Sequence, residues 1–442
     1  MLVDDKKRDL MVAALIARHF QRRGVECFLE PLEAYRGALA AHRPHLMIFN
    51  HLVASHLVEY SKRLGGMGIL TAVLLNEGLC YNDDAREFNA GKHHRGANID
   101  YFFCWNRPLK EALQRQGFGA RTHIEVVGPP RFDYYCEPWS RVFDDFPWPG
   151  HGRPKLLVCS NFGFAKFFNA PRAEGKRFFA AWTDRIPERK DWWGLIEMNH
   201  RAQQRFLLFV EAIARSGKFD VVLRPHPRED LDVYRNWLAA LPPQARSRLH
   251  MDATSNITSL ILACDLRVGC ENCNTTLESW IAGKPTVELV FDRHPVFYNA
   301  EVGSLSPECE RPEDVVRVIE RALADREQAE YRADRRAHLA KWCNSPAGKA
   351  SERIVEVLAA RLAAHPEPDW SKLELADRRR ALKLKALQKL GKAYHYKPLI
   401  SLRGRMLGGR HKLKAGVYEK AVTPRDVSRA LALIESRLER AA

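Results

Sequence analysis

The chain has 442 residues, enough for two to three domains of ordinary size. A hydrophobic content of 46% and a charged content of 28% exclude a disordered or collagen-like protein, and no apolar run approaches the roughly 20 residues of a membrane-spanning helix. The net charge of +16 calls for an anionic partner without saying which.

Two further bulk features narrow the class. Met1 to Arg8 is charged and lacks the apolar stretch of a signal peptide. Ten cysteines are scattered without a disulfide framework, which predicts a reducing, cytoplasmic location. Cys270 and Cys273 form a lone C-x-x-C; a zinc site would need a second ligand pair, so buried thiols are the plain reading. The charge is uneven. Lys372 to Arg440 holds 19 Lys and Arg against 6 Asp and Glu.

In chain order, helices alternate with strands. Leu10 to Arg22 has a helical period. Pro44 to Asn50 reads as a strand, Ser55 to Leu64 as a helix, and Gly68 to Leu75 as a longer apolar strand ended by Asn76-Glu77-Gly78. Ile99 to Trp105 is a strand, Pro108 to Gln116 a helix, and His123 to Val127 a strand closing on Gly128-Pro129-Pro130. This alternation implies right-handed crossovers and a parallel sheet. Cys136 to Pro154, rich in Trp, Pro and Gly, reads as an irregular linker. The alternation then restarts with the strand Lys155 to Ser160, the helix Arg201 to Ser216 and the strand Val221 to Leu223. Thr254-Ser255-Asn256 offers N-caps for a helix to Ala263. Leu266 to Gly269 is a strand, Asn274 opens a helix ending at Gly283, and Pro285 to Phe291 is the next strand. Pro312 to Ala324 and Arg332 to Trp342 follow as helices.

The predicted fold class is α/β and GT-B-like: two doubly wound Rossmann-like domains facing a cleft, plus a basic helical C-terminal extension. The domains are expected at 1–137 and 155–365, the linker at 138–154 and the extension at 366–442. In open α/β sheets ligands bind at the carboxyl ends of strands, so the turns there are the candidate sites.

The sharpest turn is Arg224-Pro225-His226-Pro227. Two prolines end a buried strand, because proline lacks an N–H and fixes φ, and they hold His226 at the tip; the plain alternative is a solvated histidine in a strand-ending turn. Asn274-Thr275-Thr276 precedes a helix just after a strand, where free N–H groups and the helix dipole favour phosphate; an ordinary N-cap is the alternative. Glu77 lies at a strand end beside Gly78, which allows a tight turn and close approach of a ligand; a solvated turn carboxylate is the alternative. Ser160-Asn161-Phe162-Gly163 ends the first strand of the second half and places Asn161 at the same kind of edge. Gly128 to Asp133 is read as architectural.

These stretches resemble the bacterial surface carbohydrate (surface polysaccharide) biosynthesis proteins. The resemblance runs from Lys6-Lys7-Arg8-Asp9-Leu10 through Asn76-Glu77-Gly78-Leu79, Gly128 to Asp133, Ser160 to Gly163 and Arg224 to Pro227 to the Asn274 to Pro285 stretch. It covers roughly residues 1 to 345. The layout is also similar to bacterial sialyltransferases and Kdo transferases, GT-B enzymes that use CMP-activated 2-keto sugar acids. The resemblance implies Glu77 as catalytic acid/base, His226 on the nucleotide phosphate, and Thr275 and Thr276 beside it. Arg224, Asn274 and Glu278 complete the implied nucleotide-binding set, with Asn161 and Gly78 as further cleft residues. The chain departs from the pattern at Asn76, where a second carboxylate is common, and at Asn274, where Ser or Thr is common.

The implied reaction transfers a sugar, a 2-keto sugar acid from a CMP-linked donor, to a glycan or lipid-linked glycan acceptor. Arg224, His226 and the helix start at Thr275 would stabilise the departing phosphate. Glu77 would take the acceptor proton once burial raises its pKa. Neither a metal nor a cofactor beyond the nucleotide sugar is expected, and no Asp-x-Asp motif is found. Two other readings stand beside this one: a UDP-sugar 2-epimerase of the same architecture, and a non-enzymatic nucleic-acid-binding protein suggested by the charge. The latter lacks any recognisable module, so nucleic acid is not an expected partner.

In the extension, Leu382, Leu384, Leu387 and Leu390 roughly share a helical face among basic residues. Residues 372–420 are therefore a candidate for an anionic membrane surface, making the protein peripheral at the cytoplasmic membrane. Packing on the enzyme body and a disordered tail are the alternatives. Thr423 to Leu438, with its T-x-x-D start, reads as a final helix.

Overall fold

The structure, a computed structural model, describes the chain apart from residues 76, 94, 95, 151, 272, 395–420 and 440–442. It divides into two compact units. The first holds Met1–Cys80, Asn89–Asp133 and Lys341–Ala442, the second Tyr81–Phe88 and Tyr134–Ala340. No helix among the described residues is long and apolar enough to cross a membrane.

In the first unit, β1 (Leu2–Val3) pairs with β2 (Glu30–Pro31). A separate sheet runs β3 (Leu46–Phe49), β4 (Leu70–Leu74), β5 (Tyr101–Cys104), β6 (His123–Val126), all parallel and in sequence order. Both faces are buried, which is why the strands read as unbroken apolar runs. Met47, Phe49, Val73 and Phe102 meet the helices Ser55–Gly66 and Arg107–Arg115 on one side. Ile48, Ala72, Leu74 and Phe103 meet Leu10–Gln21 and Ala350–Ala363 on the other.

The last of these helices corrects the expected boundaries. Residues 341–365 pack with the first unit, although they were assigned to the second domain. Asp133 makes the join: its buried carboxylate accepts from the N–H groups of Ala350 at 3.0 Å and Ser351 at 2.7 Å, capping that helix. Gly128, at φ +85°, lets Cys343 pass; a Cβ there would lie 2.8 Å from its carbonyl oxygen. The Gly128 to Asp133 segment is thus architectural, as expected.

The described part of the extension is packed too. The helix Leu375–Lys389 lies on Tyr35–His42, and Gly37 permits the approach, because a Cβ would stand 2.9 Å from the Arg380 carbonyl oxygen. Buried Asp377 accepts from Arg36 Nε at 2.7 Å and is also paired with Arg63. Burial opposes its ionisation, but the bonds from Arg63 and Arg36 hold its carboxyl below the usual range. The four leucines do not share a face: Leu384 and Leu387 are buried, whereas Leu382 and Leu390 are exposed. Residues 395–420, included in the membrane expectation, lie outside the described residues. The last helix is Pro424–Glu439, and Asp426 Oδ2 accepts from the Thr423 hydroxyl at 2.7 Å and its N–H at 2.9 Å.

The second unit is a six-stranded parallel sheet: β7 (Lys155–Cys159), β8 (Asp220–Arg224), β9 (Leu249–Met251), β10 (Leu266–Cys270), β11 (Thr286–Leu289) and β12 (Glu308–Cys309). The spatial order is β12-β11-β10-β7-β8-β9, so the winding direction reverses at β7. The helix Trp192–Ser216 covers one face and starts earlier than its periodicity suggested, because Asp191 caps it by accepting from Gly194 N at 2.9 Å. Among its described residues the expected linker is irregular apart from the 3-10 turn Trp139–Val142, and it is packed: Trp139 and Trp148 are buried, and Trp148 Nε1 donates to the Asp220 carbonyl at 3.2 Å.

Candidate functional site

In a doubly wound sheet the loops diverge where the order reverses, leaving a crevice at the carboxyl edge. In the second unit that point lies between β7 and β10, and Ser160–Gly163, Arg224–Pro227, Glu271, Cys273 and Asn274 all sit along that edge.

The turn after β8 is held by a residue the sequence reading did not single out. Glu229 is buried, and its carboxylate gathers the Ser160 hydroxyl at 2.9 Å, Phe162 N at 2.8 Å, His226 N at 3.2 Å and the Tyr234 hydroxyl. Burial raises its pKa, and those donors pull the other way. One carboxylate therefore locks the β7 and β8 loops into a single piece. His226 is half-buried, with Nδ1 accepting from Arg228 N at 3.2 Å, so its ring orientation is fixed. Lys166 and Arg228 are exposed cations on these loops; burial first, and Arg228 second, lower the Lys166 pKa. The only sequence signal for Glu229 was an acid three residues beyond His226, in a place where a solvated charge is commoner.

The other expected nucleotide ligands divide. Arg224 is turned to β9: its Nη1 donates to the Asp252 carbonyl at 3.0 Å, with Asp252 Oδ1 at 3.4 Å, which makes it chiefly a tie between loops. Asn161 Nδ2 donates to the Glu271 carbonyl at 2.7 Å and so spans the reversal point. Asn274 occupies the N-cap position of the helix Thr275–Ile281 but makes no side-chain cap. The Thr275 hydroxyl donates to Cys273 Sγ at 3.1 Å.

Thr276 and Glu278 correct the expectation of ligand contact. Thr276 is wholly buried and its hydroxyl accepts from Arg267 Nη1 at 2.7 Å and donates to Glu288 at 2.8 Å. Arg267 is itself fully buried, paired with Glu288 and laid over Gly269, where any Cβ would collide with the guanidinium. Glu278 is buried with its Oε2 3.1 Å from the Tyr135 hydroxyl. A helix entering a sheet must bury one face, and these two side chains are on it.

Glu271 was missed. It stands one residue past β10 in the left-handed region, φ +55°, a conformation that costs free energy in a non-glycine residue and tends to mark functional turns. Its Oε2 is buried without a hydrogen bond. Burial first, and Asp292 second, push its carboxyl well above the usual range.

In the first unit, Glu77 follows β4 at the carboxyl edge, but it is not buried: its side chain is 65% exposed and pairs with Arg8 Nη1 at 3.6 Å. The expected burial of this carboxylate is therefore not found. Gly78 is required by packing rather than by φ, because a Cβ would come within 2.7 Å of the buried Trp105 ring. Asn50, His51 and His93 accompany Glu77 in this unit. Asn50 Oδ1, His51 Nδ1 and His93 Nδ1 are buried without hydrogen bonds, and burial lowers the pKa of both histidines. Asn76 lies outside the described residues. Among the described residues no group of three or more His, Cys, Asp or Glu is placed to hold a metal ion.

No family model and no curated protein matches the sequence. Solved structures do. A crystal structure from Listeria monocytogenes, of a protein named as a candidate UDP-N-acetylglucosamine 2-epimerase, superposes with TM-score 0.50 at 13% identity, over 83% of this chain and 97% of that one. The wall teichoic acid polymerase TagF gives 0.42 at 13% identity over 72% and 73%. MnaA of S. aureus with UDP gives 0.45 at 11% identity over 82% and 96%. At 13% identity the Listeria structure bears on the fold alone, and with the two parallel sheets described above it makes this a GT-B-like α/β protein built of two Rossmann-like units.

Proposed function

We propose that the chain is a glycosyltransferase of bacterial surface polysaccharide assembly that takes its sugar from a nucleotide-activated donor. The observation that carries this reading is the carboxyl edge of the second sheet. There Glu229 ties His226 to the loop of β7, the strand that borders the reversal of strand order, and Arg228 N donates to the His226 ring. Preorganised donors and cations suit a phosphate whose charge grows as the sugar leaves. His226 and the Thr275 turn are the proposed phosphate contacts, with Arg224 and Asn161 holding the loops in place. Glu77 is the proposed acceptor of the hydroxyl proton, and Arg8 orients it.

The finer reading, a 2-keto sugar acid carried by CMP, rests on the resemblance of the motif layout to sialyltransferases and Kdo transferases. A UDP-sugar 2-epimerase has the same architecture, and nucleotide preference separates the two. Calorimetric titration with CMP, UDP and GDP is the test. CMP should bind, and His226→Ala should weaken it about 10- to 100-fold, the worth of one charge-assisted hydrogen bond. Equal affinity in a folded His226→Ala protein would remove this histidine from the site. UDP binding with epimerised product would replace the transferase reading.

A further inference from the structure

The helix Leu375–Lys389 has two unlike faces. Asp377, Ala381, Leu384 and Leu387 are buried against the first unit. At 100° per residue, Leu375 and Leu382 fall on the opposite side, with Leu390 near them at the helix end. These three leucines are 70%, 70% and 69% exposed, whereas the other exposed large apolar side chains among the described residues lie between 36% and 54%.

The charge around this stripe has one sign. Arg378, Arg379, Lys385 and Lys389 flank the leucines and are exposed. Residues 375–392 contain seven Lys and Arg and a single acid, Asp377. That acid is buried and paired with Arg36 and Arg63, so it neutralises nothing outside. Glu374, exposed at the N-cap just before Leu375, is held by Arg36 and Arg63. Beyond it, an exposed apolar stripe bordered by cations is the pattern of a helix lying in the plane of a membrane interface. A purely electrostatic nucleic-acid surface has no use for the leucines.

We propose that this outer face seats the protein on an anionic phospholipid surface, with Leu375, Leu382 and Leu390 entering the headgroup boundary and the flanking cations meeting lipid phosphates. The helix is docked on the body by its other face, so the first unit is held against the membrane directly rather than tethered to it. This inference stands independently of the transferase reading.

The test is sedimentation of the full chain with phosphatidylcholine vesicles, with and without phosphatidylglycerol. The wild-type protein should bind the anionic vesicles only, and less as salt rises. Leu382→Ser should lower partition about tenfold, the worth of one buried leucine. Arg379→Glu with Lys385→Glu should lower it by at least about tenfold. Both variants should keep the melting temperature of the wild type, because the buried face is untouched. Absence of binding to anionic vesicles overturns the proposal. So does unchanged binding of both variants, which would place the contact elsewhere. Loss on charge reversal but not with Leu382→Ser, accompanied by equal binding to RNA at the same salt, would show a general polyanion surface instead.

Discussion

Removing the Glu229 carboxylate should loosen the β7 and β8 loops together. Its Oε1 accepts from two backbone N–H groups, Phe162 and His226, and from the Ser160 hydroxyl, while Oε2 receives the Tyr234 hydroxyl. In Glu229→Ala the Phe162 N–H loses its acceptor, at about 1–3 kcal/mol when buried, whereas the His226 N–H keeps the Ser160 hydroxyl oxygen at 3.2 Å. The hydroxyls can rotate, and loss of a buried charge, itself costly as its raised pKa indicates, offsets part of the loss. The net cost should be about 1–3 kcal/mol, or roughly 5- to 160-fold in amide hydrogen-exchange protection, largest at Phe162. Glu229→Gln can leave its carbonyl at the Oε1 position and turn its amide toward Tyr234, so it should cost about 1 kcal/mol. Urea unfolding followed by tryptophan fluorescence, residue-resolved hydrogen exchange and nucleotide titration together read this. Affinity should fall in the alanine variant and largely survive in the glutamine variant. Wild-type stability and protection in Glu229→Ala would refute the claim that this carboxylate builds the site.

Two further outcomes follow from the first unit. Glu77→Gln should lower transfer by about 100- to 10,000-fold, the usual worth of a general base. Its exposed pair with Arg8 adds under about 1 kcal/mol, so stability should hardly change, and near-normal turnover would assign the proton to another group. His93 has its pKa pushed down to about 4, by burial first and by His51 and Lys92 after it. A histidine kept neutral in the folded state contributes its full stability above the ordinary value near 6.5 and loses it as pH falls toward 4, about 3 kcal/mol across that window. His93→Gln should flatten the fall in urea midpoint between those limits, and an unchanged slope would place the acid sensitivity elsewhere.

The local part of the structure was legible. Val221-Val222-Leu223 and Leu156-Leu157-Val158 are apolar without alternation because both faces of a parallel strand are covered, and both stretches are central strands. Pro225 and Pro227 ended β8 where they stand. Asn256 caps its helix by accepting from Thr258 N at 2.9 Å. Each of these depends on residues within a few positions of one another. The candidate site was legible only as a set of strand ends. The resemblance implies Thr276 and Glu278 at the ligand, but this helix packs with that face inward and buries both. Glu229 was passed over, since an acid in a turn is usually solvated.

By itself, then, the amino-acid order determined the alternation of helices and strands, the two-unit plan and the turns that could carry chemistry, because propensity, periodicity and proline geometry act over short range. The tertiary structure decided which polar groups are ties and which are open. It also returned residues 341–363 to the first sheet and divided the leucines of 375–390 between core and solvent. Burial is set by partners far along the chain, Asp377 with Arg36 and Arg63, Asp133 with Ser351. No local pattern encodes those pairings, because their free energy exists only once the distant segments have met.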